Sequence, residues 1–311
     1  MDYHLPVMLE PCVQALNITT TQNNQIYVDA TFGGGGHTSA IAQACVGFGQ
    51  VIAIDQDSEA IARGRLKNME RGLTNVTLVH DNFANIRGIL QTLEVTAIDG
   101  ALIDLGVSSH QLDADYRGFS YTKDGRLDMR MDNTASLDAH HVVNQYEQGQ
   151  LKLIFKRYGE EPFAGLIAKN LVIARERAPI DTTRQLFELI IASVPKKMGL
   201  APVKRIFQAI RIEVNQELGI IEQTIQDMVS ALSPGGRLAI MTFHSLEDRI
   251  VKQTYQALAN PCQCPRDFPH CICHKVPSIK LLTRKPILPS AKEMAENSRS
   301  KSAKLRVLEK L

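Results

Sequence analysis

No apolar run in the 311-residue sequence approaches the roughly 20 residues that a membrane-crossing helix needs. Nor does a basic segment followed by an apolar stretch open the chain, which begins MDYHLPVMLEPC, so no secretory leader is expected. Charge of one sign is scarce: 35 Lys and Arg face 33 Asp and Glu, a formal net charge of +2. That balance excludes holding nucleic acid by bulk charge alone and leaves room only for local basic patches. Internal repeats and low-complexity stretches are absent. Six cysteines are too few for a disulfide scaffold in a chain of this length. A cytosolic globular protein is expected, of one large domain or two ordinary ones.

What is present is an alternation of short apolar runs and helical patterns over the first hundred residues, which reads as a parallel sheet. Strands are expected at Ile26–Ala30, Val51–Ile54, Val76–His80 and Ile98–Leu105. Helices are expected from Thr38 towards Cys45, from Asp57 or Ser58 to about Met69, and over Ile86–Leu93. The fourth strand is apolar apart from Asp99 and Asp104, as a strand covered on both faces is. From about His110 the strand pattern stops. Leu151, Ile154, Phe155 and Tyr158 share one helical face, and so do Leu186, Phe187, Ile190, Ile191 and Val194 behind a Thr182–Thr183 cap. A long helix from Phe207 to Leu232 follows, stopped by Ser233-Pro234-Gly235-Gly236. A fifth strand at Arg237–Phe243, a helix at Ser245–Leu258 and a strand pair from Ile279–Thr283 and Lys304–Leu308 complete the chain. The expected organisation is an α/β sheet domain in two parts, residues 1–109 and 207–311, interrupted by a helical domain over 110–206.

The segment DATFGGGGHT, Asp29–Thr38, joins the first strand to the first of these helices. Glycine there lets the backbone turn sharply and lets a ligand approach the main chain. Asp55 follows roughly 20 residues later at the end of the second strand, where a carboxylate can accept both hydroxyls of an adenosine ribose. An ordinary turn with a capping acid is the plain alternative, but Asp57 is available for the capping. Dinucleotides and S-adenosylmethionine both use this layout. The second is favoured, because no clean GxGxxG runs into the helix and the sheet does not resume as a second mononucleotide-binding half.

Further segments make the pattern specific: HLPVMLE (His4–Glu10), LIDLGVSSHQLD (Leu102–Asp113), RGFSY (Arg117–Tyr121), DGRLDMRMD (Asp124–Asp132), RIEVNQEL (Arg211–Leu218), TFHSLEDRIVK (Thr242–Lys252) and SAKLRV (Ser302–Val307). With DATFGGGGHT, they resemble the bacterial ribosomal small-subunit RNA cytosine-N4 methyltransferase family, also called MraW. The likeness runs from His4 to about Val307. It implies a class I methyltransferase domain, a Rossmann-like parallel sheet, with an inserted helical domain for substrate recognition. It also implies methyl transfer from S-adenosylmethionine to the N4 of one cytosine of 16S rRNA near the decoding centre, within the small ribosomal subunit. Carried onto this sequence, Gly35, Gly36 and His37 would meet the methionine end, Asp55 the ribose and Phe83 the adenine, with Asp104 and Gln111 completing the pocket.

Asp104 is also the expected acceptor for the cytosine N4 hydrogens, helped by carbonyls of Leu105–Val107. The stretch Asp104–Ser109 lacks the prolines and the aromatic of the (Asp/Asn)-Pro-Pro-(Tyr/Phe) motif, so another ring must stack a flipped base; Phe119, Tyr121 and Phe243 are the candidates. His37 and His244 are possible bases, although the proton can leave to water. Glu213 and Asn215 face either substrate or structure, and Asp128, Arg130 and Asp132 read as a salt-bridge loop. Two rival readings are a nicotinamide-dependent dehydrogenase and a non-catalytic zinc- and RNA-binding assembly factor; a third keeps methyl transfer but changes the acceptor. Cys262, Cys264, Cys271 and Cys273 form C-x-C-x6-C-x-C. Four thiolates can hold zinc, but structural sites use C-x2–4-C spacing, so a metal-free reduced loop is expected and no metal site is assigned. From His274 onward about ten lysines and arginines face about three acids, a patch suited to RNA phosphates or to plain solvation.

Overall fold

The computed structural model describes residues 6–20, 23–264 and 272–311. Its seven-stranded sheet has the order β3-β2-β1-β4-β5-β7-β6. The strands are β1 (Gln25–Asp29), β2 (Gly49–Asp55), β3 (Val76–His80), β4 (Ile98–Asp104), β5 (Leu232–Thr242), β6 (Ile279–Leu281) and β7 (Lys304–Lys310). Strands β1 to β5 pair in parallel, and β7 runs antiparallel to both β5 and β6. Parallel pairing requires crossovers, and the helices that supply them cover both faces. Alternation within the strands shows this directly. Val28, Ile52, Ile54, Ala101, Ile103, Leu238 and Ile240 enter one buried cluster. Their neighbours Tyr27, Val51, Leu102, Ala239 and Met241 enter another. Because strand side chains alternate with a period of two, a run such as Ala101-Leu102-Ile103 must be apolar throughout.

Helices α1 (Leu9–Ala15), α2 (Gly36–Ala44), α3 (Ser58–Glu70) and α4 (Ile86–Thr92) precede the end of β4. Asp57 caps α3 by accepting the Glu59 amide at 3.0 Å. The chain divides into two compact units, one of residues 1–106 with 218–311 and one of residues 107–217. The second unit is helical: α5 (Ser109–Asp113), α6 (Ala139–Gln145), α7 (Gln148–Arg157), α8 (Ala164–Arg175), α9 (Thr183–Ser193) and α10 (Ala201–Asn215). Thr182 caps α9 reciprocally with Gln185, and Leu151, Ile154, Phe155, Leu186 and Ile190 meet in one core. In the first unit α11 (Ile221–Ala231), α12 (Ser245–Ala259) and α13 (Ala291–Glu296) follow. No helix among the described residues is long and apolar enough to cross a membrane.

Two expectations need correction. The single helix expected from Phe207 to Leu232 is two, α10 and α11, because Gln216 takes a left-handed conformation (φ 54°) that ends α10. The Arg211 guanidinium then grips the Glu217 carboxylate at 2.8 and 2.9 Å across the turn. For the same reason the helical unit extends to Glu217 rather than ending at 206. Val203, Ile206, Phe207, Ala209, Ile210 and Val214 of α10 are buried in the helical unit's own core.

Candidate active site

Strands β2, β1 and β4 stand side by side and each ends in a carboxylate: Asp55, Asp29 and Asp104. Between β1 and β4 the strand order reverses, which is where open α/β sheets bind ligands. The three strand ends are tied together. Phe32 donates its amide to the Ile54 carbonyl at 2.8 Å, and the Asp104 amide donates to Thr31 Oγ1 at 2.7 Å.

Asp29 is fully buried and accepts Thr38 Oγ1 at 2.6 Å and the Thr31 amide at 3.2 Å. Burial still lifts its pKa to about 7 against those hydrogen bonds. Asp55 accepts the Gly33 amide on Oδ2 at 2.6 Å and the Asp57 amide on Oδ1 at 2.8 Å. Burial raises it to about 6 while the two amides pull it down. Asp104 goes furthest: burial, then the charges of Asp29 and Glu247, hold its pKa well above the carboxylate range. Its side chain is 26% exposed, yet Oδ1 is covered and has no hydrogen-bond partner among the described residues.

His37 in the first turn of α2 is buried. Its Nε2 lies 3.0 Å from the Val7 carbonyl, so Nε2 carries the proton and donates it. Nδ1, 3.7 Å from Asp104 Oδ2, is left with its lone pair. Burial, opposed by the Val7 bond, lowers the imidazole pKa to about 4, so the ring is neutral near pH 7 and a poor base.

The glycines are demanded by packing as well as by access. Gly35, at φ 77°, caps α2 from the left-handed region, and a Cβ there would meet the Phe32 ring at 2.7 Å. One on Gly36 would lie 2.2 Å from Pro6. Phe83 opens a one-turn 3-10 helix after β3, where Asp81 donates its amide to the Asp55 carbonyl and Asn82 Nδ2 to Gln56 Oε1. Asp55 and the approach to Phe83 therefore run beside each other. Gln111 belongs to the helical unit, where its side-chain oxygen accepts the Ser108 amide at 2.9 Å to cap α5. Its assignment to a cofactor pocket rests on the resemblance alone.

Other expected residues separate into structural roles. Arg130 chelates Asp128 at 2.9 and 2.7 Å, the expected salt-bridge loop. Asn215 holds that loop to α10 by accepting the Met131 amide and donating to the Met129 carbonyl. Glu213 accepts the Tyr146 hydroxyl at 2.8 Å. Phe119 is buried in the helical core, and Tyr121 packs edge-on against Phe207 with centroids 5.8 Å apart. Phe243 differs: it is half-buried at the end of β5, and its Cδ2 would lie 3.6 Å from a Cβ on Gly106, two residues beyond Asp104. His244 caps α12, its Nε2 3.0 Å from Glu247 Oε1. In the basic tail, Lys304 and Arg306 both bind Asp248, whereas Lys275, Lys280, Arg284, Lys285, Lys292 and Lys301 are exposed. Asp29 was not singled out from sequence; its place at a strand end, level with Asp55 and Asp104, was the available signal.

A family model described as the MraW methylase family matches residues 1–311. Over 99% of its length the chain is 50% identical to the ribosomal RNA small subunit methyltransferase H of Clostridium botulinum strain Loch Maree, 99% of which is covered. It is 49% identical to the protein of the same name from Lachnospira eligens, over 99% of this chain and 98% of that one. Among solved structures, an rRNA methylase from Streptococcus thermophilus is matched over 97% of this chain and 93% of that chain, with 13% identity and a TM-score of 0.43.

Proposed function

Because the chain belongs to the MraW methylase family, we propose that it methylates the exocyclic N4 of one cytosine of 16S rRNA, near the decoding centre of the small ribosomal subunit, with S-adenosylmethionine as donor. The observation that carries the donor part of this reading is the row of three carboxyl groups at adjacent strand ends, each with its pKa raised by burial; the acceptor atom rests on the family resemblance. Such a rim favours a ligand that brings positive charge and hydroxyl donors.

The residues fit that donor. Each oxygen of Asp55 accepts one amide and keeps a second lone pair for a ribose hydroxyl. The amides of Gly36 and His37 open α2, and first-turn amides have no intrahelical acceptor, which suits a carboxylate. The covered, unmatched Oδ1 of Asp104 calls for a donor or a cation. Phe83 is assigned to the adenine. When bound, S-adenosylmethionine supplies a methyl group on a positively charged sulfonium.

Cytosine N4 is a weak nucleophile because its lone pair is delocalised into the ring. Holding it in line is therefore the chain's main task, and positioning can lower a barrier by roughly 7–11 kcal/mol in ideal cases. Asp104 accepts an N4 hydrogen, orients the amine and offsets its developing positive charge. The departing proton leaves to water. Phe243 stacks the extruded base, a contact worth about 1–3 kcal/mol. His37 keeps the start of α2 tied to Val7 and takes no proton. The exposed cations of the tail meet RNA phosphates; with a net charge of only +2, recognition rests on the shape of the assembled subunit.

The test is incubation with methyl-labelled S-adenosylmethionine and unmodified small subunits, alongside protein-free RNA. Label is expected in subunit RNA, with more than one methyl per protein molecule and little transfer to naked RNA. Asp104→Ala should lower the turnover rate by at least about 100-fold. Absence of label from the RNA under conditions where the donor binds would overturn the proposal.

A further inference from the structure

The segment between α12 and β6 contains a side-chain cluster that methyl transfer does not use. Among the described residues, the sulfurs of Cys262, Cys264 and Cys273 all lie within 4.8 Å of one another. The Cys262 and Cys273 sulfurs are 3.8 Å apart. A disulfide would bring them to about 2.05 Å. Two thiolates on one tetrahedral zinc, with Zn–S bonds near 2.3 Å, stand about 3.8 Å apart. The pair already has that separation, and the third sulfur needs to close by about 1 Å at most.

Two further observations point the same way. The Ile272 amide donates to Cys264 Sγ at 3.3 Å, and an N–H directed at sulfur stabilises the thiolate a metal requires. Among the described residues, Ile272 is 64% exposed and Val276 79%, so neither side chain holds the cluster by its own burial. The sulfurs nonetheless come together from both ends of the connection.

We propose that Cys262, Cys264 and Cys273 bind one zinc ion as thiolates and that the ion staples the α12–β6 connection. The one-residue spacer between Cys262 and Cys264 argued for a metal-free loop. The geometry answers that objection, because Cys262 meets Cys273 across the turn as well as its neighbour in sequence. Each thiol gives its proton to solvent on binding, no electron is transferred, and one position of a four-coordinate ion is left for a further donor. An all-sulfur donor set selects zinc, copper(I) or an iron–sulfur cluster. The short sulfur–sulfur distances fit a single ion rather than a cluster, and of the two single ions zinc is the one proposed. Cys271 lies outside the described residues.

The full chain, purified under reductant from zinc-supplemented cells and dialysed, is assayed for bound metals by mass spectrometry. About one zinc per chain is expected, falling at least about tenfold in Cys264→Ser and in the double variant Cys262→Ser/Cys273→Ser. Cobalt loaded into the unaltered chain should show thiolate-to-metal charge-transfer bands and tetrahedral d–d bands, a readout that survives even if a variant fails to fold. Less than about 0.1 zinc per chain after loading, zinc content unchanged by the substitutions, or iron or copper in its place would overturn the proposal.

Discussion

Asp55 must be ionised to accept two hydroxyls, yet burial raises its pKa to about 6. Above that value the carboxylate is charged and the ribose contact complete; below it the group is protonated and one acceptor oxygen becomes a donor. Affinity for S-adenosylhomocysteine is therefore expected to be level above pH 7 and to fall by up to about tenfold per unit below pH 6. Asp55→Asn should bind about 10- to 100-fold more weakly at pH 7.5, the worth of hydrogen bonds to a charged acceptor, and lose the pH dependence. Titration calorimetry across pH 5–8 checks this, and a flat profile for the unaltered chain would count against it. Stability runs the opposite way. Asp29 and Asp55 hold protons more tightly folded than unfolded, so their contribution is full below 3.8 and is lost as pH rises through about 6 and 7. Binding and folding are thus separable by their pH dependence.

At the scale of the element, capping distinguishes structural histidines from chemical ones. His244 begins α12, accepting the Glu247 amide on Nδ1 at 3.4 Å, while Glu247 Oε2 accepts the Phe243 and His244 amides at 2.7 and 3.2 Å. His244→Ala should lower stability by about 1 kcal/mol, as loss of a cap does, and leave turnover within about threefold. Chemical denaturation paired with a methylation assay reads both; a large loss of turnover at unchanged stability would assign the imidazole to the chemistry. Elements with a local signature were legible in sequence. Val76–His80 reads as β3 because the run is short and bounded, and Asp57 reads as a cap. The break at Gln216 was not legible, because a left-handed C-cap is usually glycine and the apolar pattern of α10 continues into α11. For the candidate site, the glycine turn and the strand pattern pointed to the strand ends where Asp55 and Asp104 stand. That His37 would turn to Val7 and that Phe119 and Tyr121 would be core residues depends on tertiary packing, which spacing does not encode.

The whole chain matches one methylase family, and its sheet order brings to one rim carboxylates that are 26 and 49 residues apart or more in sequence between Asp29, Asp55 and Asp104. A local turn between α12 and β6 gathers the sulfurs of Cys262, Cys264 and Cys273, a convergence that ligand spacing alone argued against. What neither the rim nor the family description names is the atom methylated. The most direct measurement is to methylate unmodified small subunits, digest the RNA to nucleosides and identify the product by mass spectrometry against standards. N4-methylcytidine, or its 2′-O-methylated form, is the expected product; label in N6-methyladenosine, 5-methylcytidine or ribosomal protein would overturn the proposed acceptor.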